Sequence, residues 1–324
     1  MHFSLILFGP TASGKTDFSY ECAHFLPAEI INADVGQVYV PLTIGTAKPD
    51  LKNVPVAHHM FDMLDKPIDY SAFEYRCACM PTVDAILGRR RVPVFVGGCG
   101  FYIKSLFFPL KSPGPCMSGS HGQDLDRDLE RLPGESPWDV LFRVDPDRAR
   151  NLHPNDLYKI GRALDIRRRT GVSSSFFKPT FDPSMRNSVA VFLDRDRREL
   201  EERATCRIDD MMKSGWIKEA VELSAEWRAF VKKRGFIGYE EIFDLIDGRL
   251  NRSDAVDLIR IKTLQYIKRQ YTFWRSLKKM LVDNGVRVKE INISHARNAG
   301  KTMTDCARLL CEEITEEVPY AFET

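Results

Sequence analysis

Residues Gly9-Pro10-Thr11-Ala12-Ser13-Gly14-Lys15-Thr16 spell G-x-x-x-x-G-K-[ST], and their surroundings supply the context that pattern requires. The apolar run His2 to Phe8 reads as a short buried strand, and Lys15 to Leu26 carries Phe18, Cys22, Phe25 and Leu26 at helical spacing. In such a strand-loop-helix unit the glycines let backbone amides turn onto phosphate oxygens, the helix N-terminus adds positive potential and Lys15 supplies a point charge. The Thr16 hydroxyl is a Mg²⁺ ligand of the usual kind for this loop. A plain glycine turn would explain the chain reversal but not the lysine placed at the helix start. Which diphosphate is held stays open, because nucleotide and prenyl diphosphates present the same oxygens.

The rest of the chain extends this opening into an α/β fold, a P-loop NTPase-like parallel sheet flanked by helices. Glu29 to Ala33, Val92 to Val96 and Ser188 to Leu193 read as further buried strands, with a helix expected over Ser71 to Leu87 and a late strand over Val286 to Ile293. Ligands of such sheets bind beyond the carboxyl ends of the strands, where Gly9, Asp34 and Gly97 fall. Lys111 to Gln123 is rich in Pro, Gly and Ser and reads as a mobile connection, after which Trp138 to Thr170 turns helical. The expected organisation is therefore a first part of the core at 1–111, an inserted helical domain at 112–182, and a second part of the core with a helical C-terminal region at 183–324. The tail from Ser294 to Thr324, with Glu312, Glu313, Glu316 and Glu317, is expected to pack as a short helix or remain loose.

Composition excludes several classes. There is no apolar run near the roughly 18 to 20 residues that span a bilayer, and the apolar start lacks the basic residues and cleavage site of a secretory signal. The eight cysteines show no repeated C-x-x-C and no histidines at zinc spacing, so they read as free thiols of a cytoplasmic protein. A net charge of +2 says little about nucleic acid, but the basic residues cluster at Arg89-Arg90-Arg91, Arg167-Arg168-Arg169, Lys232-Lys233-Arg234 and Lys268-Arg269.

Asp34, at the end of the second strand, is placed either to bind Mg²⁺ or to accept a proton from a nucleophile. His58 and His59 read as structural, since no third metal ligand accompanies them. Taken in order, GPTASGKT, Asp34-Val35-Gly36-Gln37-Val38-Tyr39, Ile44 to Pro49, His58-His59 and Gly97 to Lys104 resemble the tRNA dimethylallyltransferases, which modify the adenosine next to the anticodon. The resemblance continues through Asp145 to Ala149, Pro154 to Asp156, Arg162 to Asp165, the RxxxRxxxM helix Arg203 to Met211, Gly238-Tyr239-x-Glu241 and Lys268 to Arg275, covering residues 3 to 280.

That resemblance implies a mechanism and a set of residues. Dimethylallyl diphosphate would sit on Gly9 to Thr16 with Mg²⁺ at Thr16, its leaving pyrophosphate stabilised by Lys15 and Arg203, while Asp34 takes the proton from adenine N6. Cys99 stands where the family carries a catalytic threonine. Contacts to tRNA are implied for Asp34, Val35, Gly36, Gln37, Cys99, Arg234, Gly238, Tyr239, Lys268, Arg269, Gln270, Thr272 and Arg275. Lys159 and Arg162 of the insertion would hold the stem-loop from the other side, and the family habit is a monomer. On a helix Lys268, Thr272, Arg275 and Lys279 form one basic face beside an apolar one of Leu264, Ile267, Tyr271 and Trp274. The chain departs from the family at Val35-Gly36 (usually Ser-Met), Cys99 (usually Thr), Tyr158-Lys159 (usually Gln-Arg) and Phe273-Trp274 (usually reversed). Two other enzymes share parts of the pattern: a P-loop small-molecule kinase, which would want a metal-binding acid after Val96, and a prenyltransferase of free adenine nucleotides, which would not need the Lys268 to Arg275 helix. A non-catalytic RNA-binding protein would have no use for Lys15 and Asp34 together.

Overall fold

The computed structural model describes residues 3–110, 129–294 and 302–317. Every residue of strand β1 (Leu5–Phe8), β2 (Ala28–Asn32) and β4 (Val92–Gly97) is buried, the signature of strands covered on both faces rather than on one. With β3 (His58–His59), β5 (Val189–Asp194) and β6 (Arg287–Asn292) they form one six-stranded sheet in the order β3-β2-β4-β1-β5-β6, all pairs parallel. β1 lies at the centre, its register pairing Phe8 with Gly97 on one side and with Phe192 on the other.

Strand alternation divides the core. Leu5, Leu7, Ile30, Val94, Val191 and Leu193 pack with Phe18 and Cys22 of α1 (Lys15–Phe25) and with Ala307, Leu310 and Ile314 of the C-terminal helix Met303–Glu317. Across the sheet Phe8 and Phe192 meet Trp274, the Phe192 and Trp274 rings lying 5.0 Å apart and 13° from parallel. Trp274 belongs to a helix of 32 residues, Arg252–Asp283, capped by Asn251, whose side chain accepts from the Asp254 amide. Before it come Ala72–Gly88, Gly100–Phe107, Arg197–Lys213, Trp216–Glu222, Ala225–Arg234 and Tyr239–Ile246. Of the C-terminal tail, the segment Met303–Glu317 is a helix packed on α1 and the sheet through Ala307, Leu310 and Ile314.

Compact packing divides the chain into Phe108–Phe181 and, separately, Met1–Phe107 with Asp182–Thr324. Among its described residues the smaller unit packs the α-helices Pro137–Val144, Pro146–Arg150 and Leu157–Thr170 around Leu141, Ala149, Ile160 and Ala163. Its buried Asp145 caps the second helix and accepts from Ser174 Oγ (2.9 Å) and the Ser175 amide (2.9 Å), so this aspartate is structural. The segment Lys111 to Gln123 lies outside the described residues. Among the described residues no helix is long and apolar enough to cross a membrane.

Candidate active site

Because all strands run the same way, their carboxyl ends deliver Gly9, Asp34, Gly97 and Arg195 to one edge of the sheet. Two glycines are dictated by this crowding. A Cβ on Gly97 would stand 2.1 Å from the Ala33 carbonyl oxygen, and one on Gly9 would stand 2.5 Å from that of Leu193. Both clashes are with backbone, so neither position tolerates a side chain without moving a strand.

The phosphate loop turns at Ala12 (φ 64°) and Gly14 (φ 94°) before α1 begins. Its carbonyls are claimed by cationic side chains: Lys15 Nζ donates to Pro10 (2.7 Å), Arg203 Nε to Ala12 (2.9 Å) and Arg195 Nε to Ser13 (2.9 Å). The Thr11 amide donates to Gln270 Oε1 (2.9 Å), whose Nε2 donates to the Gly98 carbonyl (3.0 Å), tying the loop to the end of β4. Burial pushes the Lys15 amine down to about 7, with Arg207 adding to the shift and Asp34 opposing it.

Asp34 lies in the turn that follows β2 and is fixed by hydrogen bonds to its neighbours. Buried Asn32 accepts from the Asp34 amide (2.8 Å) and donates to the Met60 carbonyl (3.0 Å), while one Asp34 carboxylate oxygen accepts from the Gly36 amide (3.1 Å). Two cavities meet at this residue. The larger, about 890 Å³, is lined by Lys15, Thr16, Gln37, His58, Gly98, Arg203 and Gln270, and the smaller, about 310 Å³, by Val35, Gly36, Ile208, Trp216, Arg234, Phe236, Tyr266 and Arg269. Asp34, Arg207, Thr11, Ala12 and Met211 line both. A larger cationic chamber and a smaller, more apolar one therefore share a carboxylate at their junction.

The remaining expected residues fall into place unevenly. Lys268, Arg269, Thr272 and Arg275 are exposed on the long helix, with Ile267 and Trp274 buried on its apolar face. The Arg269 guanidinium lies over the Tyr266 ring, 5.6 Å from its centroid. Arg234 pairs with Asp69 (3.5 Å), and Gln37 Nε2 donates to the carbonyls of Thr46 (3.1 Å) and Ala47 (3.2 Å). In the smaller unit Lys159 and Arg162 are exposed, paired within their own helix to Asp156 (2.6 Å) and Asp165 (3.8 Å).

Three residues expected to touch RNA are buried instead. Tyr239 has no exposed surface and donates to Glu219 Oε1 (2.7 Å), whose carboxylate also accepts from the amides of Thr43, Ile44 and Gly45. Gly238 (φ 92°) leaves room for Trp216, whose ring would come within 2.0 Å of a Cβ there. Gln270, only 3% exposed, is spent on the loop and Gly98. These are supports of the cavity wall, chosen by packing that no local pattern reveals. Cys99 lines neither cavity, and burial pushes its thiol up to about 12, so it stays protonated.

His58 bonds the Val56 carbonyl (2.8 Å) and Tyr20 hydroxyl (3.3 Å), and His59 the Glu29 carboxylate (2.7 Å), so the pair is structural. Arg207 was missing from the expected set although its signal was present: it follows Arg203 by one helical turn and shares its face. Nothing local pointed to Arg195, Trp216 or Tyr266 as site residues.

A family model described as IPP transferase matches residues 37–277. A tRNA dimethylallyltransferase 1 of Citrifermentans bemidjiense is 35% identical over 276 residues, spanning 83% of this chain and 88% of that one. The tRNA dimethylallyltransferase of Bacillus subtilis is 32% identical over 298 residues, 89% of this chain and 94% of that one. A crystal structure of a eukaryotic dimethylallyltransferase acting on tRNA covers 98% of this chain and 80% of its own with a TM-score of 0.78 at 21% identity, which shows a common fold. By the length of the family match and the identity to these relatives, the chain belongs to the IPP transferase family.

Proposed function

We propose that this protein transfers a dimethylallyl group from dimethylallyl diphosphate to N6 of the adenosine 3′ to the anticodon in tRNA, releasing pyrophosphate. The observation that carries the reading is the single cleft in which Lys15 and Asp34 both stand, the first among phosphate-directed cations and the second at the junction of the two cavities. The diphosphate binds the loop amides with Lys15, Arg203 and Arg207 around it, and these charges stabilise the negative charge that builds as the allylic carbon–oxygen bond breaks. The adenine is turned out of its stem-loop into the smaller cavity. As the new carbon–nitrogen bond forms, Asp34 accepts the N6 proton, and the electron pair of the broken bond leaves with pyrophosphate.

Mg²⁺ suits this site through oxygen ligands: Thr16, which carries a hydroxyl, lines the larger cavity, and Mg²⁺ usually keeps several waters and takes only one or two protein oxygens beside substrate phosphates. Among the described residues no cluster of three His, Cys, Asp or Glu side chains forms a metal cage, in keeping with an ion that arrives with the diphosphate. When bound, it neutralises charge on the leaving group.

Acceptor recognition falls to the exposed residues. Arg234 and Arg269 rim the smaller cavity, Lys268, Thr272 and Arg275 continue the basic face, and Lys159 and Arg162 offer a second basic surface on the smaller unit. The test is to supply Mg²⁺, labelled dimethylallyl diphosphate or ATP, and either an anticodon stem-loop or AMP. Label on stem-loop adenine supports the proposal, label on AMP supports a nucleotide prenyltransferase, and phosphate transferred from ATP supports a kinase. Asp34→Ala should lower kcat by ~10²- to 10⁴-fold, far more than it lowers tRNA affinity; near-normal turnover would remove Asp34 from its role.

A further inference from the structure

The phosphate loop is gripped from outside the cavity as well as from within it. Lys15 and Arg203 face the larger cavity, whereas Arg195, which follows the last residue of β5, is 4% exposed and lines neither cavity. Its Nε donates to the Ser13 carbonyl at 2.9 Å, its Nη1 pairs with Glu199 in the first turn of the next helix, and its Nη2 lies 3.5 Å from where a Cβ on Gly14 would stand. The strand end that carries it is itself anchored, since Tyr271 donates to the Asp194 carboxylate and the Arg195 amide donates to Asp194 Oδ1 at 2.8 Å.

We infer that Arg195 is a positioning residue for the diphosphate site: by holding the Ser13 carbonyl outward it fixes the one peptide unit between Ser13 and Gly14 with its Gly14 amide toward the cavity, and its charge adds to the potential there. The physical case is that a peptide unit cannot turn one end without the other. A carbonyl fixed from behind leaves its partner amide no freedom to flip away from a phosphate oxygen. A buried guanidinium suits this task because its rigid plane holds Nε on the carbonyl and Nη1 on Glu199 in fixed directions, whereas an ammonium offers a single freely turning nitrogen. Burial and the charge of Arg203 lower its pKa to about 10, so the group stays charged at neutral pH. A carboxylate at Glu199 keeps the buried charge paired.

The inference rests on the larger cavity being a diphosphate site, so its test reads inorganic pyrophosphate directly. Pyrophosphate affinity is measured by calorimetry with Mg²⁺ on the full chain, for the native protein, Arg195→Met, Arg195→Lys and the control Arg198→Ala, whose side chain is 92% exposed and pairs with Glu202. Losing a charged hydrogen bond at the loop should weaken pyrophosphate about tenfold in Arg195→Met. Arg195→Lys should fall between it and the native protein, and Arg198→Ala should match the native protein. Stem-loop RNA affinity should not move in any of them. Unchanged pyrophosphate affinity in a folded Arg195→Met overturns the assignment; should that variant not fold, Arg195→Lys decides, and an affinity equal to the native one overturns it. If the native protein binds pyrophosphate but prenylates no acceptor, the proposed reaction fails while the role of Arg195 stands.

Discussion

The sharpest consequence of the site is that diphosphate binding should take up a proton. Without ligand, Lys15 sits among cations with its amine pushed down to about 7, and it donates to the Pro10 carbonyl. A diphosphate brings negative charge to that position and favours the ammonium. At pH 8, one unit above 7, roughly 90% of the free sites hold a neutral amine, and charging it costs about 1.4 kcal/mol; at pH 6.5 the cost is only about 0.2 kcal/mol. Affinity should therefore be full below about pH 6 and fall by about eightfold between pH 6.5 and pH 8. The sign follows from the depressed free-state pKa: the ammonium binds the anion, and raising pH removes it. Calorimetry in two buffers of different ionisation enthalpy gives the proton count, with uptake of about 0.9 at pH 8 expected. Subtracting the same measurement on Lys15→Met cancels the titration of the ligand itself. A native protein and a Lys15→Met variant with parallel pH profiles would refute the reasoning, because the amine would then be charged throughout.

Three further outcomes follow from the same geometry. Lys268→Ala should weaken stem-loop binding and reduce the slope of log affinity against log salt by about one, read from binding at several salt concentrations. Gly97→Ala should destabilise the fold by about 1–3 kcal/mol or more in denaturant unfolding, since its Cβ would meet the Ala33 backbone at 2.1 Å between two paired strands. Glu219→Gln should loosen the segment Thr43 to Lys48 and expose it to limited proteolysis, because one carboxylate accepts from three loop amides and from Tyr239. Wild-type protease resistance in that variant would mean the segment is held by other contacts.

What the sequence determined was local or periodic. The phosphate loop is legible because glycines, lysine and threonine at fixed spacing leave one physical use for the backbone between a strand and a helix. The central strands are legible because runs such as Leu5 to Phe8 and Val92 to Val96 are apolar without alternation, and Asp34 because it ends one of them. The basic face of Lys268, Thr272 and Arg275 follows from helical periodicity alone. The two-residue strand at His58–His59 was not legible, since it is a strand only by pairing with Ile30 and Ile31. Tertiary structure decided which members of a motif face the cleft. Gly238, Tyr239 and Gln270 belong to recognisable motifs, yet Trp216, Glu219 and the Thr11 amide take them as supports. Arg195 looks like one more surface arginine at a helix start until the loop 182 residues away accepts its hydrogen bond. A motif fixes which side chains are present; which of them is spent on packing and which is left for a ligand depends on partners distant in sequence, and only the folded chain brings those together.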